Sequence, residues 1–349
     1  LEPSPRYAVT VSTVLIPSPD SHRQRFPQRM GCVSELRPQD VGITVSTHHR
    51  SHQRHARLRR ALLPYLCLLP ALLLIAGVLL IPIGQTFLNA FHELDRYGNP
   101  VGPLTLSNFQ KTFEDADFRC AFWNTIVWTV SVVGLTLLVS LPAALVLDRR
   151  FPGRRLARAI LVLPWASSLV ISALIWRYIL DTEMGPLNAL LIQTGLISEP
   201  VPWTATRSTS FPAMIFVGVF VSVPFTTLVF LAGLQAIGRE MYEAARVDGA
   251  SALRTFWSVT LPHLRGVFAV ATVLNVIYVF NSFPIVWTIT RGQPANTTDV
   301  VMTYLYKKAF TDQQFGVASA QAVIVFLALL AFSLVYGALF NRRDTETAA

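Results

Sequence analysis

A charged segment interrupts the apolar stretches of this chain near residue 245. Its defining residues are Glu243, Ala244, Ala245, Asp248 and Gly249, followed by Leu261 and Pro262. Residues 238–247 have a helical composition, and Gly249 favours the left-handed conformation that ends a helix. A second short helix is expected to begin near Ser251 and to end at Leu261-Pro262, because the residue before proline disfavours helix. Two such helices suit docking into a groove of another protein.

The spacing of these residues resembles a known loop. Glu243-Ala244-Ala245 is followed after three residues by Gly249, and after nine more by Val259-Thr260-Leu261-Pro262. This order is similar to the cytoplasmic E-A-A loop of ABC importer permeases, with Val259 in the place of isoleucine. The resemblance implies that residues 235–264 couple the chain to a separate ATPase subunit. The alternative is an amphipathic loop that lies on the membrane surface.

The elements that must position this segment are long and apolar. Apolar residues make up 52% of the chain and charged residues 14%, which is typical of a polytopic membrane protein. Spanning a bilayer takes about 20 apolar residues. Six stretches meet that length, and we predict spans at about 62–83, 123–147, 157–180, 211–234, 265–288 and 318–340. The expected fold is all-α with six transmembrane helices, and the resemblance implies a type I ABC importer permease.

Basic residues predict the orientation of these spans. Arginines crowd the chain before the first span, the connection between the second and third spans, and the end of the last span. The positive-inside rule therefore places both termini and the Glu243 segment in the cytoplasm. The resemblance to ABC importer permeases implies that the spans lie in a bacterial cytoplasmic membrane. The net charge of +9 is explained by this topology, so a nucleic-acid partner is not expected. Residues 1–55 are rich in Ser, Pro, Arg and His and are predicted to form a disordered cytoplasmic tail, whereas 56–345 form the membrane domain.

Polar and aromatic side chains on two spans could line a path for a solute. Asn275, Tyr278 and Asn281 recur at i, i+3 and i+6 and share one face of span five. Ser222 and Phe225 lie beside Pro224 on span four. A sugar offers hydroxyl groups and apolar ring faces, which such residues can bind. The alternative is that these polar groups only hold helices together in the membrane.

The last outer connection resembles the carbohydrate branch of these permeases. The matching stretches are Phe280-Asn281-Ser282-Phe283, Thr290-Arg291-Gly292-Gln293-Pro294, Tyr304-Leu305-Tyr306, Ala309-Phe310 and Gly316-Val317-Ala318-Ser319-Ala320. Gln293 stands where the family has a second glycine. By position, the resemblance to maltose-type permeases nominates Ser222, Phe225, Asn275, Tyr278 and Ser282 for the solute site. Asn281 matches the asparagine of the F-N-x-F motif.

Catalytic chemistry is missing from the sequence. The chain has three lysines, Lys111, Lys307 and Lys308, and none follows the glycine that a phosphate-binding loop needs. The predicted spans also lack Asp, Glu, Lys and His, which mark proton relays and intramembrane active sites. We expect no enzyme activity, metal site or cofactor on this chain, with ATP and Mg²⁺ bound by the partner ATPase.

The expected partners follow from the resemblance: a second homologous permease, two cytoplasmic ABC ATPase subunits, an extracytoplasmic solute-binding protein and the lipid bilayer. The function predicted on these grounds is that of a transmembrane permease subunit for a sugar or sugar derivative. An importer of another polar solute, such as a polyamine or phosphate, remains open, because the E-A-A loop is shared across such importers. A polytopic membrane enzyme is the rival from another class, and the uncharged spans disfavour an ion-coupled transporter.

Overall fold

The computed structural model describes Tyr65 and residues 68–347, so the predicted tail of residues 1–55 lies outside the described residues. The first part of the fold comprises helix α1 (Leu68–Ala90), the hairpin strands β1 (His92–Leu94) and β2 (Pro100–Leu104), and helices α2 (Ser107–Glu114), α3 (Ala116–Asp148), α4 (Arg154–Ala166), α5 (Leu169–Ile179) and α6 (Pro186–Gln193). The second part comprises α7 (Arg207–Ala236), α8 (Arg239–Val247), α9 (Ala252–His263), α10 (Arg265–Phe280), α11 (Phe283–Ile289), α12 (Val301–Tyr306) and α13 (Phe315–Thr347). Strands β1 and β2 pair antiparallel.

Four of these helices are continuous and long enough to cross a membrane: α1, α3, α7 and α13. Two further pairs are bent, α4 and α5 by 94° and α9 and α10 by 62°. If each bent pair is one crossing, the described chain has up to six crossings, in line with the six spans expected from the hydropathy.

The third and fifth spans are broken where the sequence predicted continuous helices. The break between α4 and α5 falls at Ser167 and Ser168, which are both extended. Pro164 has no N–H to donate one turn back, and the Ser167 hydroxyl donates to the Pro164 carbonyl at 2.9 Å. Helix α10 ends at Phe280 and α11 begins at Phe283, with Pro284 in its first turn, where the missing proline N–H leaves no helical hydrogen bond unmade.

Helices α3 and α7 form the centre of the bundle. Gly218 on α7 lies under the Trp128 ring of α3, where an added Cβ would come within 3.0 Å of the ring. Small residues at such contacts let membrane helices approach closely. The buried Trp128 Nε1 donates to the carbonyl of Val279 on α10 at 3.0 Å. This bond ties α10, which carries predicted solute-path residues, to the two central helices.

A second close approach lies toward the other end of α7. Gly233 faces Val267 on α10, and an added Cβ would be 2.6 Å from that side chain. The rings of Phe230 and Phe268 lie 4.6 Å apart beside it. Helices α7 and α10 are therefore closely packed at this end of α7.

Candidate functional site

The first half of the Glu243 segment is a short helix that ends as predicted. Helix α8 ends at Val247, and Gly249 adopts a left-handed conformation with φ of 73°. The amide of Ala250 donates to the Ala245 carbonyl at 2.9 Å, which satisfies a carbonyl in the last turn of α8. Nothing lies within 4 Å of a Cβ added at Gly249, so the backbone conformation and not crowding favours glycine there.

The second half departs from the prediction that Leu261-Pro262 ends the helix. Helix α9 begins after Ser251, whose hydroxyl accepts from the Arg254 amide at 3.3 Å. It then widens into a π-helical turn over Phe256–Thr260 and continues through Pro262 to His263. A π turn accommodates the missing proline N–H that an α-helix would require. The chain then bends by 62° into α10.

The outward surface of α8 and α9 combines charge with apolar side chains. Ala245 and Val259 are buried, whereas Glu243, Ala244 and Asp248 are exposed. Large apolar side chains are exposed on the same segment: Met241, Val247, Leu253 and Trp257. Exposed apolar groups rimmed by charge are typical of a protein-binding surface.

The predicted solute-path residues converge on one cavity of about 280 Å³. It is lined by Trp165 of α4, Ser222 and Phe225 of α7, and Leu274, Asn275 and Tyr278 of α10. Four of the six predicted residues, those on α7 and the first two on α10, are thus brought together. The cavity is mostly apolar, with hydroxyl and amide groups at a few points, which is the usual composition of a small-molecule site.

Asn275 links the two helices that form this cavity. Its Nδ2 donates to Thr226 Oγ1 at 2.9 Å and to the Ala271 carbonyl at 2.8 Å. Thr226 Oγ1 also lies 3.1 Å from the Ser222 carbonyl and 3.2 Å from Asn275 Oδ1. The Thr226 hydroxyl has one proton, and an amide oxygen has two lone pairs, so Asn275 Oδ1 keeps accepting capacity toward the cavity.

Trp165 is a cavity residue that sequence reasoning missed. Its ring stacks on Phe225 with centroids 5.8 Å apart and an angle of 24° between the planes. Pro164 and the Ser167-Ser168 pair mark a place where span three can break, but they do not show which side Trp165 faces. Trp165, Phe225 and Tyr278 give the cavity aromatic faces on three helices.

Asn281 and Ser282 lie apart from this cavity. Both fall in the break between α10 and α11, where Asn281 Nδ2 donates to the Ile277 carbonyl at 2.9 Å and Ser282 is buried. Asn281 therefore finishes the last turn of α10. Their suggested contact with solute stays a prediction.

Comparison with known proteins identifies the family. Residues 136–345 match the family described as binding-protein-dependent transport system inner membrane component. The chain belongs to this family. A probable ABC transporter permease of Brucella abortus is 45% identical over 282 residues, which cover 81% of this chain and 98% of the relative. The trehalose/maltose transport system permease protein MalF of Thermococcus litoralis is 33% identical over 281 residues, 80% of this chain and 94% of the relative.

A solved structure agrees with this assignment. A chain of a bacterial ABC transporter involved in the import of the acidic polysaccharide alginate superposes with a TM-score of 0.71 at 25% identity, covering 83% of this permease and 99% of that chain. A chain of a bacterial alginate ABC transporter in complex with an alginate pentasaccharide-bound periplasmic protein gives a TM-score of 0.73 at 23% identity, covering 82% of this permease and 96% of that chain. The all-α type I ABC importer permease fold expected from the sequence is confirmed.

The outer connection of the permease, which carries the carbohydrate-branch motif, is built around a buried carboxylate. Asp299 is fully buried, and its oxygens accept from Thr303 Oγ1 and Lys307 Nζ, each at 2.7 Å. Gly292 is left-handed with φ of 79°, and an added Cβ would collide with the Asp299 side chain. Burial raises the pKa of Asp299, and its bonds to Lys307 and Thr303 offset only part of that rise. The Asp299 side chain therefore leaves room only for glycine at position 292, the first glycine of the motif.

This connection is also tied to the outer ends of two central helices. Asn124 on α3 donates through Nδ2 to the carbonyls of Thr297 and Asp299, both at 2.9 Å, and accepts from Arg207 of α7 at 2.9 Å. Gln293, which replaces the second glycine, is followed by a cis bond to Pro294. The motif thus ties α3 and α7 together at this end of the bundle and supplies no side chain to the described cavity.

Proposed function

We propose that this permease translocates a sugar or sugar derivative through the cavity between α4, α7 and α10. The observation that carries this proposal is the pairing of aromatic faces with neutral hydrogen-bonding groups: Trp165, Phe225 and Tyr278 beside Ser222 and Asn275. Sugar rings stack on aromatic faces while their hydroxyls exchange hydrogen bonds. The similarity to a trehalose/maltose permease supports the same class of solute.

The rival solutes within the family are less well matched by the cavity. A polyamine or a phosphate carries charge, and a charge in a low-dielectric site needs a partner of opposite sign. The residues that line the described cavity are all uncharged. A neutral polyhydroxylated solute fits this composition best.

The transport cycle needs partners beyond this chain. Two cytoplasmic ATPase subunits bind ATP and Mg²⁺, dock on the outward surface of α8 and α9, and move it as a lever. A second permease completes the path, and an extracytoplasmic binding protein delivers the solute to the side of the outer connection. The periplasmic protein bound to the alginate transporter supports this last partner. Both termini then lie in the cytoplasm, as the arginine distribution predicts.

Each ligand drives this cycle by binding one conformation of the transporter more tightly than the other. ATP stabilises the state in which the ATPases are closed and the permease faces outward, and hydrolysis returns it to the inward-facing state. The permease itself makes and breaks no bond in the solute.

An uptake assay tests the proposed class of solute. The permease is expressed with its neighbouring permease, ATPase and binding-protein genes and reconstituted in proteoliposomes. Labelled mono- and disaccharides, labelled phosphate and labelled spermidine are offered with and without internal ATP. We expect ATP-dependent uptake of at least one sugar; ATP-dependent uptake of phosphate or spermidine alone would overturn the sugar assignment.

A further inference from the structure

The connection between α3 and α4 gathers guanidinium groups around a hollow. Its arginines are Arg149, Arg150, Arg154, Arg155 and Arg158. The last four line one cavity of about 520 Å³ together with Phe151 and Gly153. An adjoining cavity of about 490 Å³ shares Arg150 and Arg154 and reaches Arg239 and Tyr242 of α8. Arginines of α4, of the connection before it and of α8 therefore border two adjoining cavities, which together we call the arginine pocket.

These guanidinium groups outnumber Asp148, the acidic residue among those that line the two cavities. Arg154 Nη1 donates to the carbonyl of Asp148 at 3.3 Å, and Arg158 Nη2 donates to the carbonyl of Leu147 at 3.1 Å. Both acceptors are backbone groups at the end of α3. The ion pairs within the described residues all involve lysines of the outer connections. Within that part of the chain, Arg158 Nε is buried and has no hydrogen-bond partner.

The arrangement opposes the local backbone dipole. Helix α4 begins at Arg154, and its first turn holds no acidic residue. A helix N-terminus carries partial positive charge and favours anions, so Arg154 and Arg155 are repelled there unless an anion lies between them. Membrane topology explains the number of arginines on this side, but it does not require them to surround a hollow.

The surface that continues from the pocket favours a lipid as the source of that anion. Leu156, Ile160 and Leu163 follow the arginines along one face of α4 and are 56–65% exposed. This apolar face belongs to a membrane-length helix pair, so acyl chains can lie along it. Basic pockets between membrane helices on the cytoplasmic side bind anionic head groups.

We propose that the arginine pocket binds the phosphate of an anionic phospholipid. The phosphate accepts from Arg150, Arg154 and Arg155, and the acyl chains follow the exposed face of α4. Because Arg150 and Arg154 also border Arg239, the bound lipid fixes the base of α8 relative to the bundle. The lipid thereby becomes a structural part of the surface that meets the ATPase.

Native mass spectrometry of the whole transporter tests this proposal. The complex is titrated with phosphatidylglycerol or phosphatidylcholine, and the lipids retained are counted. We expect the wild type to retain phosphatidylglycerol in preference, and the double variant Arg154→Gln/Arg155→Gln to bind it at least tenfold more weakly, since each arginine contributes about 1 kcal/mol at a lipid surface. Arg265→Gln is the matched control, because Arg265 is exposed near the same end of the bundle and outside the pocket.

Four results would overturn the proposal. The first is equal retention of the two lipids by the wild type, and the second is an equal loss in the Arg265→Gln control. The third is displacement of phosphatidylglycerol by inorganic phosphate at equal concentration, which would assign the pocket to a free anion. A double variant that retains lipid but loses ATPase subunits would assign the arginines to the ATPase interface and contradict the proposal as well.

Discussion

Asn275 serves both the packing of the permease and its cavity. Its amide nitrogen is used within the protein, toward Thr226 and Ala271, and its amide oxygen keeps capacity for a solute hydroxyl. The sequence left open whether such residues bind solute or hold helices together. The Asn275 side chain holds α7 and α10 together, and its amide oxygen is also placed at the cavity. Its removal would therefore disturb both the helix packing and the cavity. Asn275 is therefore a poor single test of the solute path.

Trp165 is a cleaner probe at the residue scale. Trp165→Ala removes the ring that stacks on Phe225 and should raise the KM for sugar uptake several-fold to about tenfold, since aromatic contacts are worth about 0.5–1.5 kcal/mol. Trp165→Phe should keep most of the affinity. Trp123→Ala, on the exposed side of α3, is the control and should leave KM unchanged. Unaltered KM in Trp165→Ala would remove α4 from the solute path.

The sequence located four cavity residues and missed Trp165 for a physical reason. Ser222 and Asn275 stand out because polar groups in apolar spans need a partner or a cavity. Trp165 lies in a stretch that reads as uniformly apolar, where lipid-facing and cavity-facing positions have the same composition. The side that Trp165 faces depends on how α4 packs against α7 at the bend. The local sequence does not set that packing.

At the scale of elements, the Glu243 segment (residues 235–264) shows which helix ends the local sequence predicts and which it does not. Gly249 was predictable because a left-handed helix end is a property of the residue itself. Pro262 was not, because a proline can end a helix or be absorbed into a π turn, and the choice depends on the surrounding contacts. Val259 and Thr260 of that turn are both buried, and the Thr260 hydroxyl lies 3.4 Å from the Tyr242 hydroxyl of α8.

The left-handed turn allows a matched pair of substitutions at one position. Gly249→Pro forbids the conformation and should abolish uptake and coupled ATPase activity while the protein still inserts in the membrane. Gly249→Asn should keep most activity, because asparagine tolerates the left-handed region and nothing lies within 4 Å of the added Cβ. The measurement is ATP-dependent sugar uptake at equal expression. Normal uptake in Gly249→Pro, or equal loss in both variants, would contradict the role assigned to this turn.

At the scale of the whole molecule, hydropathy predicted the number and order of the spans but not their bends. The apolar windows mark where helix can cross a membrane, and all six reappear as long helices or bent pairs. The bends lie after α4, at Ser167 and Ser168, and between α9 and α10, at Leu264. Both bends flank helices that line the cavity, α4 and α10, which is where alternating access requires movement.

Residues 1–50 are predicted to be dispensable for assembly and transport. They are polar, and the Glu243 segment, the cavity and the spans all lie after them. A variant that lacks them should assemble with the ATPase and take up sugar at the wild-type rate, as measured in the same proteoliposomes. Loss of either property, with the first span intact, would show that this segment takes part in the transporter.

The central claim is that the solute path and the energy input use separate parts of this chain. The direct measurement is sugar uptake and binding-protein-stimulated ATPase activity, both recorded in one preparation for Tyr278→Ala and for Glu243→Lys. We expect Tyr278→Ala to lose uptake about tenfold while most ATPase activity remains, since lost stacking and hydrogen bonding together remove about 1–2 kcal/mol. Glu243→Lys should lose both, because it reverses a charge on the docking surface. Equal loss of both activities in Tyr278→Ala, or normal uptake in Glu243→Lys, would contradict the account.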